Sequence, residues 1–242
     1  MKIDIMTLFP EMFSALEHSI VGRARTTRKI EINLVDFRKY STDKHKKADD
    51  YSFSGGAGLV LCAQPIVDCV ESIDPDHKAH RIFLTPAAPV LTQVRVRELA
   101  ANYKHLLLLC GHYEGVDQRA IDLCFDEVIS IGDYVMTGGE LPAMVLTDAV
   151  ARHIDGVINA ESLKTESFSN NLSLVTCHLS LQNPSGVLEH PQYTRPREFR
   201  GMNVPEVLLS GNHAEIEKWK QNESIRITKE YRPDLLKKGG SK

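Results

Sequence analysis

Residues 106–119 read LLLLCGHYEGVDQR, and this stretch decides the fold class. The apolar run Leu106–Cys110 is too short for a helix and shows no polar alternation, so it predicts a strand buried on both faces. Gly111 and Gly115 follow at once and open a loop. A second stretch repeats that logic: ISIGDYVMTGGELPAM, Ile129–Met144, leaves an apolar run through Gly132, Gly138 and Gly139 and enters an apolar helix. Glycines there permit positive φ and let backbone pass where a Cβ would clash with a ligand or a neighbouring segment.

Neither loop carries GxGxxG, nor GxxxxGK followed by Ser or Thr, and neither offers a lysine to a triphosphate. Dinucleotide and nucleoside-triphosphate binding both lose ground on that account. An adenosyl group bearing a sulfonium would be satisfied by backbone amides and carbonyls, by apolar walls from Ile131, Val135 and Met136, and by a carboxylate such as Glu114. The same glycines also fit ordinary turns, and the residues alone leave both readings open.

Outward from these loops, strands and helices alternate. KIDIMTLF and IEINLVDF read as strands by alternation, with a helix from Pro10 through Arg25 between them. PIVDCVESI and LTQVRVRELAANY read as amphipathic helices on either side of the strand HRIFLTP, DEVISI reads as a strand, and LPAMVLTDAVARHI as a helix. The segment YSTDKHKKADDYSFSGGAGLVL reads as a polar loop. This order implies an α/β fold built on a mostly parallel sheet with helices on both faces. From Asp155 to Ser185 no helical period survives, so a linker is expected over 161–185, between a first domain over 1–160 and a small helical C-terminal domain over 186–242.

At 242 residues, 42% hydrophobic and 25% charged, the composition is that of a soluble globular protein. No run approaches the roughly 18 apolar residues of a membrane span, and Asp4, Pro10 and Glu11 interrupt anything resembling a secretory leader. A cytoplasmic location without a membrane partner is expected. Cys62, Cys69, Cys110, Cys124 and Cys177 are odd in number, lack a CxxC pair and read as small core residues. The net charge is -3, distributed as +3 from Gly186 onward and -6 before it, which suits a nucleic-acid backbone near the C-terminal unit and equally suits solvated helix faces. His112 and His45 have no second ligand at metal spacing, so no metal site is expected.

The motifs LFPEMF, VGRAR, DKHKKADDYSFSGGAG, LCGHYEGVDQR, IGDYVMTGGELPAMVLTDAVAR, EHPQYTRP and VPEVLLSGNHAEIEKW together resemble the bacterial tRNA (guanine-N1)-methyltransferases, the TrmD family, over nearly the whole chain. That resemblance implies transfer of a methyl group from S-adenosyl-L-methionine to N1 of the guanosine immediately 3′ of the tRNA anticodon. It also implies the SPOUT fold with a deep trefoil knot, and a homodimer with the active site at the subunit interface. General rules of chain topology would not suggest a knot.

By the same resemblance the cofactor would lie against Leu84, Thr85 and Pro86, against Gly111, Tyr113 and Glu114, and against Ile131, Gly132, Asp133, Tyr134, Val135, Met136, Gly138, Gly139 and Leu141. The target guanosine would meet the loop over 43–58, with His45, Asp50, Ser54, Gly55 and Gly56 as contacts, and Arg195 in the C-terminal part. Magnesium dependence in the family leaves room for Mg2+ bridging substrate and carboxylates without fixed protein ligands.

Guanine N1 bears a proton that must leave before the ring nitrogen attacks an electrophile, so a general base is required, with a donor for the charge that grows on O6. The family places an aspartate before Ser-Phe as the base and an arginine at the end of the helix after the cofactor loop. Arg152 matches the arginine, and Glu166 stands in the aspartate position, one methylene longer. A second departure is the segment SNNLSLVTCHLSLQNPS after Phe168, whose alternating Leu172, Leu174, Leu179 and Leu181 suggest an inserted hairpin. The alternative function is a non-catalytic RNA-binding relative that retains the cofactor fold. A nucleotide-dependent oxidoreductase is disfavoured by the missing phosphate fingerprints.

Overall fold

The structure is a computed structural model that describes residues 1–53, 55–169 and 186–236. Ser54 and residues 170–185, where the inserted hairpin was expected, lie outside the described residues. By compactness the chain divides into Met1–Ile158 and Asn159–Lys242.

The first unit is organised by a five-stranded, wholly parallel sheet in the order β2-β1-β6-β5-β7, comprising β1 (Lys2–Thr7), β2 (Glu31–Asp36), β5 (His80–Leu84), β6 (His105–Cys110) and β7 (Glu127–Ile129). The leucine run of β6 sits at its centre and explains its own composition. Leu106, Leu108 and Cys110 pack with α1 (Ser19–Thr26), α3 (Gln93–Asn102) and α5 (Glu140–Ala151) on one face. Leu107 and Leu109 pack with α2 (Ala63–Ile73) and α4 (Gln118–Cys124) on the other. A strand covered on both sides has no polar position to alternate with.

Two expectations need correction. The single helix expected from Pro10 onward is a 3-10 helix over Pro10–Glu17 followed by α1, separated by His18 in extended conformation. The break folds α1 back so closely that a Cβ on Gly22 would overlap the Glu17 carbonyl, so only glycine fits there. The expected polar loop after Tyr40 contains an antiparallel pair, β3 (Asp49–Tyr51) and β4 (Leu59–Leu61). Its hydrogen bonds come from main chain, which polar side chains do not forbid.

In the second unit, residues 161–169, expected to belong to a linker without helix, include the short α6 (Ser162–Thr165). A two-stranded hairpin, β8 (Glu198–Phe199) with β9 (Met202–Asn203), adds strand to what was expected to be helical. It precedes α7 (Glu206–Leu209) and the long α8 (His213–Tyr231). Asn212 caps α8 by accepting from the Glu215 amide at 3.4 Å. The extended segment before the hairpin is tied to α8 by the Leu188 amide, which donates to Thr228 Oγ1 at 2.9 Å.

Candidate active site

Parallel strands expose their last carbonyls and their loops at one end, and ligands of open α/β sheets gather there. The carboxyl ends of β5, β6 and β7 enclose a cavity of about 340 Å³. The loop after β7 is held on two sides. Ser130 accepts from the Leu91 amide at 2.7 Å and donates its own amide to Pro89 at 3.0 Å, while Gly139 donates to Gly111 at 2.8 Å. A Cβ at Gly139 would lie 2.7 Å from Cys110 Cα and 2.8 Å from the Gly111 nitrogen, backbone atoms that cannot swing aside. The two glycine-broken loops therefore cross in contact, which composition alone left undecided between a site and two independent turns.

Of the expected cofactor contacts, all but Asp133 and Leu141 line this cavity. Leu141 instead lines a smaller neighbouring cavity of about 130 Å³ with Phe9, Met12 and Glu140. Tyr113 adopts φ 58° without being glycine, a left-handed residue in the wall. Such a conformation costs on the order of 1–2 kcal/mol and persists only where its surroundings impose it. Cys110 ends β6 beside the cavity, but burial and the Glu140 carboxylate push its thiol well above the ordinary range, so it is no nucleophile.

Glu140 and Thr7 are not singled out from sequence, whereas His112 is weighed there as a metal ligand and set aside. Glu140, the first residue of α5, is 1% exposed and accepts a hydrogen bond from Thr7 Oγ1 at 3.0 Å, joining the end of β1 to the start of α5. A carboxylate in the first turn is favoured by the positive end of the helix. His112 lines the cavity with its ring 5.0 Å from both Phe9 and Tyr113. Its Nδ1 stands 3.8 Å from Glu140 Oε2 and makes no hydrogen bond among the described residues. Thr7 gives no site signal in sequence, and Glu140 reads as an ordinary helix-start acid.

The expected guanosine contacts are spread along 45–56. His45 is exposed, its amide donating to Asp43 at 2.8 Å. Backbone amides of Lys47 and His45 hold the Asp43 carboxyl below its usual range. Asp50 lies on β3, and Gly55 and Gly56 are exposed. Arg152 caps α5, its amide donating to Asp148 at 3.2 Å.

In the second unit Glu166 is half-buried at the end of α6, and Arg195 is exposed. Glu166 lines a cavity of about 230 Å³ with Ser169, His190 and Lys220. Among the described residues no group of three His, Cys, Asp or Glu is placed to hold a metal ion, and no helix is long and apolar enough to cross a membrane.

Comparison with known proteins gives this geometry its context. Residues 1–238 match the family model described as tRNA (Guanine-1)-methyltransferase TrmD. The tRNA (guanine-N(1)-)-methyltransferase of Ruminiclostridium cellulolyticum is 50% identical over 242 residues, covering 98% of this chain and 97% of that protein. The protein of the same name from Clostridioides difficile is 48% identical over 247 residues with both chains wholly covered, and that from an Exiguobacterium species 49% over 237 residues, covering 98% and 92%. The chain belongs to the TrmD family of tRNA (guanine-1)-methyltransferases.

Proposed function

We propose that this chain is an enzyme that methylates N1 of guanine in tRNA with S-adenosyl-L-methionine, at the nucleotide immediately 3′ of the anticodon. The observation that carries the reading is the cavity at the carboxyl ends of β5, β6 and β7, in a chain of this family. Its walls suit the donor: bare backbone at Gly138 and Gly139, apolar Ile131 and Met136, no lysine for a phosphate, and the carboxylate of Glu114 for a cation. When bound, S-adenosyl-L-methionine supplies a methyl group on a sulfonium whose thioether leaves uncharged.

The remaining work falls to side chains. Glu166 takes the N1 proton of guanine, so that the ring nitrogen attacks as a lone pair, and the Arg152 guanidinium faces the negative charge that grows on O6. His45, Asp50, Gly55, Gly56 and Arg195 belong to the acceptor side of this reading. Mg2+ would supply charge compensation beside the substrate without fixed protein ligands, and no step of this reading runs through it.

The SPOUT trefoil knot belongs to the same reading. It is supported by the clasping of the loop after β7 between residues 89–91 and Gly111. A homodimer completing the site is supported by the exposed apolar Met12, Leu141 and Val145, 42%, 51% and 47% accessible on neighbouring elements. With tRNA as substrate, the enzyme acts in the cytoplasm.

The test uses purified protein, methyl-labelled donor and two tRNA transcripts, one with the target guanosine replaced by adenosine. Label should enter only the guanosine transcript; label in neither leaves the RNA-binding relative as the better account. Glu166→Gln should lower turnover by about 10²–10⁴-fold while cofactor affinity stays, and retained turnover would move the base elsewhere.

A further inference from the structure

Glu140 is a carboxylate sealed into the protein with only one of its oxygens engaged by a side chain. Thr7 is fully buried, and its hydroxyl oxygen accepts the Phe9 amide at 2.9 Å, which leaves its proton for Glu140 Oε1 at 3.0 Å. The second oxygen, Oε2, faces His112 Nδ1 at 3.8 Å, just outside hydrogen-bond reach. That nitrogen is closed off from solvent and makes no hydrogen bond among the described residues. Buried polar atoms are rarely left so, and one that is calls for a role.

The imidazole is a partition between two chambers. His112 lines both the cavity of about 340 Å³ and the neighbouring one of about 130 Å³, whereas Glu140 lines only the smaller. The carboxylate therefore lies behind the ring as seen from the larger cavity. The backbone of His112 pairs antiparallel with that of Gly138, and a Cβ on Gly138 would overlap both His112 Nδ1 and Glu140 Oε2. Glycine at 138 thus keeps the line between nitrogen and carboxylate clear. A rotation that carries Nδ1 by about one ångström makes a hydrogen bond of ordinary length, and a molecule filling the larger cavity presses the ring in that direction.

Two plainer roles fit the pair less well. A metal ion would need a further ligand, and among the described residues no group of three His, Cys, Asp or Glu is placed to hold one. A carboxylate serving only the positive end of α5 would do so at the surface, without the desolvation that 1% exposure imposes. What the geometry offers instead is a support for the ring, since binding groups keep their aim when hydrogen bonds from behind lock their rotamers.

Resting on the cofactor site proposed above, we infer that Thr7, Glu140 and His112 form a latch for that site: Glu140, seated by Thr7, holds the His112 imidazole through Nδ1 against the bound S-adenosyl-L-methionine and so fixes the wall at Gly138 and Gly139. His112 donates from Nδ1 and Glu140 accepts, and no proton is transferred. Thr7 and Glu140 are positioning residues, which act on cofactor affinity through His112.

The experiment measures S-adenosyl-L-methionine affinity by calorimetry on the full chain, without tRNA. His112→Phe keeps a ring in the partition but removes both nitrogens, and should weaken binding about 10- to 100-fold, the span of one hydrogen bond to a charged group. His112→Asn gives up the ring but sets an amide N–H where Nδ1 stands, and should recover most of that loss. A ring serving only as apolar wall reverses the order of the two variants. Glu140→Met should weaken binding as His112→Phe does, and the double variant no further, because both remove the same contact. With 15N-labelled histidine, the His112 Nδ1 resonance should move into the hydrogen-bonded range when S-adenosyl-L-methionine is added. The thermal midpoint of His112→Phe without cofactor should match that of the unsubstituted protein.

Full affinity in His112→Phe would overturn the latch, and so would losses that add in the double variant. Binding that leaves the Nδ1 resonance where it was would overturn it too, and in each of these cases the cofactor site itself stands. Should Glu140→Met not fold, the two His112 variants and the resonance decide. If the unsubstituted protein takes up no S-adenosyl-L-methionine, the function proposed above falls and the latch with it.

Discussion

The two ends of the same parallel sheet are built on opposite plans. At the amino end, charges are bound to one another. Arg95 grips Glu127 with two hydrogen bonds of 2.8 and 2.7 Å, and His80 adds a third at 2.7 Å. Arg81 donates to the Asp74 carboxylate at 2.8 Å and to the Asp74 carbonyl at 2.6 Å. Asp4 receives His105, Lys2 and Asn33. At the carboxyl end the same strands run into glycine loops, a left-handed tyrosine, an orphaned imidazole nitrogen and open volume. Paired groups at one end hold the strands in register. Uncommitted groups at the other are what a ligand can engage, which is why a perturbed charge points to a site only when its partners leave it something to do.

That contrast is breakable by substitution. The largest stability effect is expected from Asp74→Ala, which leaves the buried Arg81 guanidinium without its carboxylate, about 3–5 kcal/mol by denaturant unfolding. Calorimetry on the folded fraction should show unchanged cofactor affinity, and a parallel loss of affinity would mean that the two ends are not independent. Gly139→Ala is the counterpart. Forcing a Cβ against Cys110 and Gly111 should cost about 1–3 kcal/mol and weaken cofactor binding about tenfold, the equivalent of 1.4 kcal/mol. Full affinity in that variant would remove the loop crossing from the binding site.

Acid should weaken the paired charges at the amino end. Burial alone would raise the Asp74 carboxyl, but the Lys78 and Ala79 amides and the Arg81 guanidinium hold it below its ordinary range. For Glu127, Arg95 and His80 likewise outweigh burial. Because these carboxyls have lower pKa values folded than unfolded, their contribution is complete above the unfolded carboxylate range and is lost as pH falls through the folded values. Melting temperature should therefore drop from about pH 5 downward, and Asp74→Asn should flatten part of that slope. The smallest effect is expected from Lys78→Ala. Its partner Asp76 and its own side chain are 65% and 75% exposed, so removing it should leave the melting temperature unchanged within error, separating buried pairing from charge as such.

Much of this fold is legible in sequence for physical reasons that can be named. The leucines of β6 announce a strand covered on both faces, and the alternation in β1 and β2 announces their strands, because burial leaves a period that composition records. Gly139 marks the cavity because close approach of the Cys110–Gly111 backbone excludes every other residue, while Gly111 and Gly138 pack against the side chains of Phe83 and of His112 and Glu140. The pair β3–β4 is hidden, since two three-residue strands, one polar (Asp49–Tyr51) and one apolar (Leu59–Leu61), are too short to leave a period. The break at His18 is hidden as well, because both flanking segments keep helical spacing. Thr7 and Glu140 meet across the fold from positions 133 residues apart, and no local pattern encodes such a meeting. The expected contacts Asp133 and Leu141 followed the run of their neighbours, but the cavity takes only part of that run.

The bonds from Glu114, Gly115 and Asp117 to the strand Leu59–Leu61 make one mechanical body of the hairpin and the pocket wall. A compound lodged in the pocket that pushes Tyr113 and Glu114 outward will drag the hairpin tip along. A dye attached near Phe53 will then report occupancy of a chamber it does not touch, giving a readout for inhibitor screening that needs neither RNA nor a labelled donor.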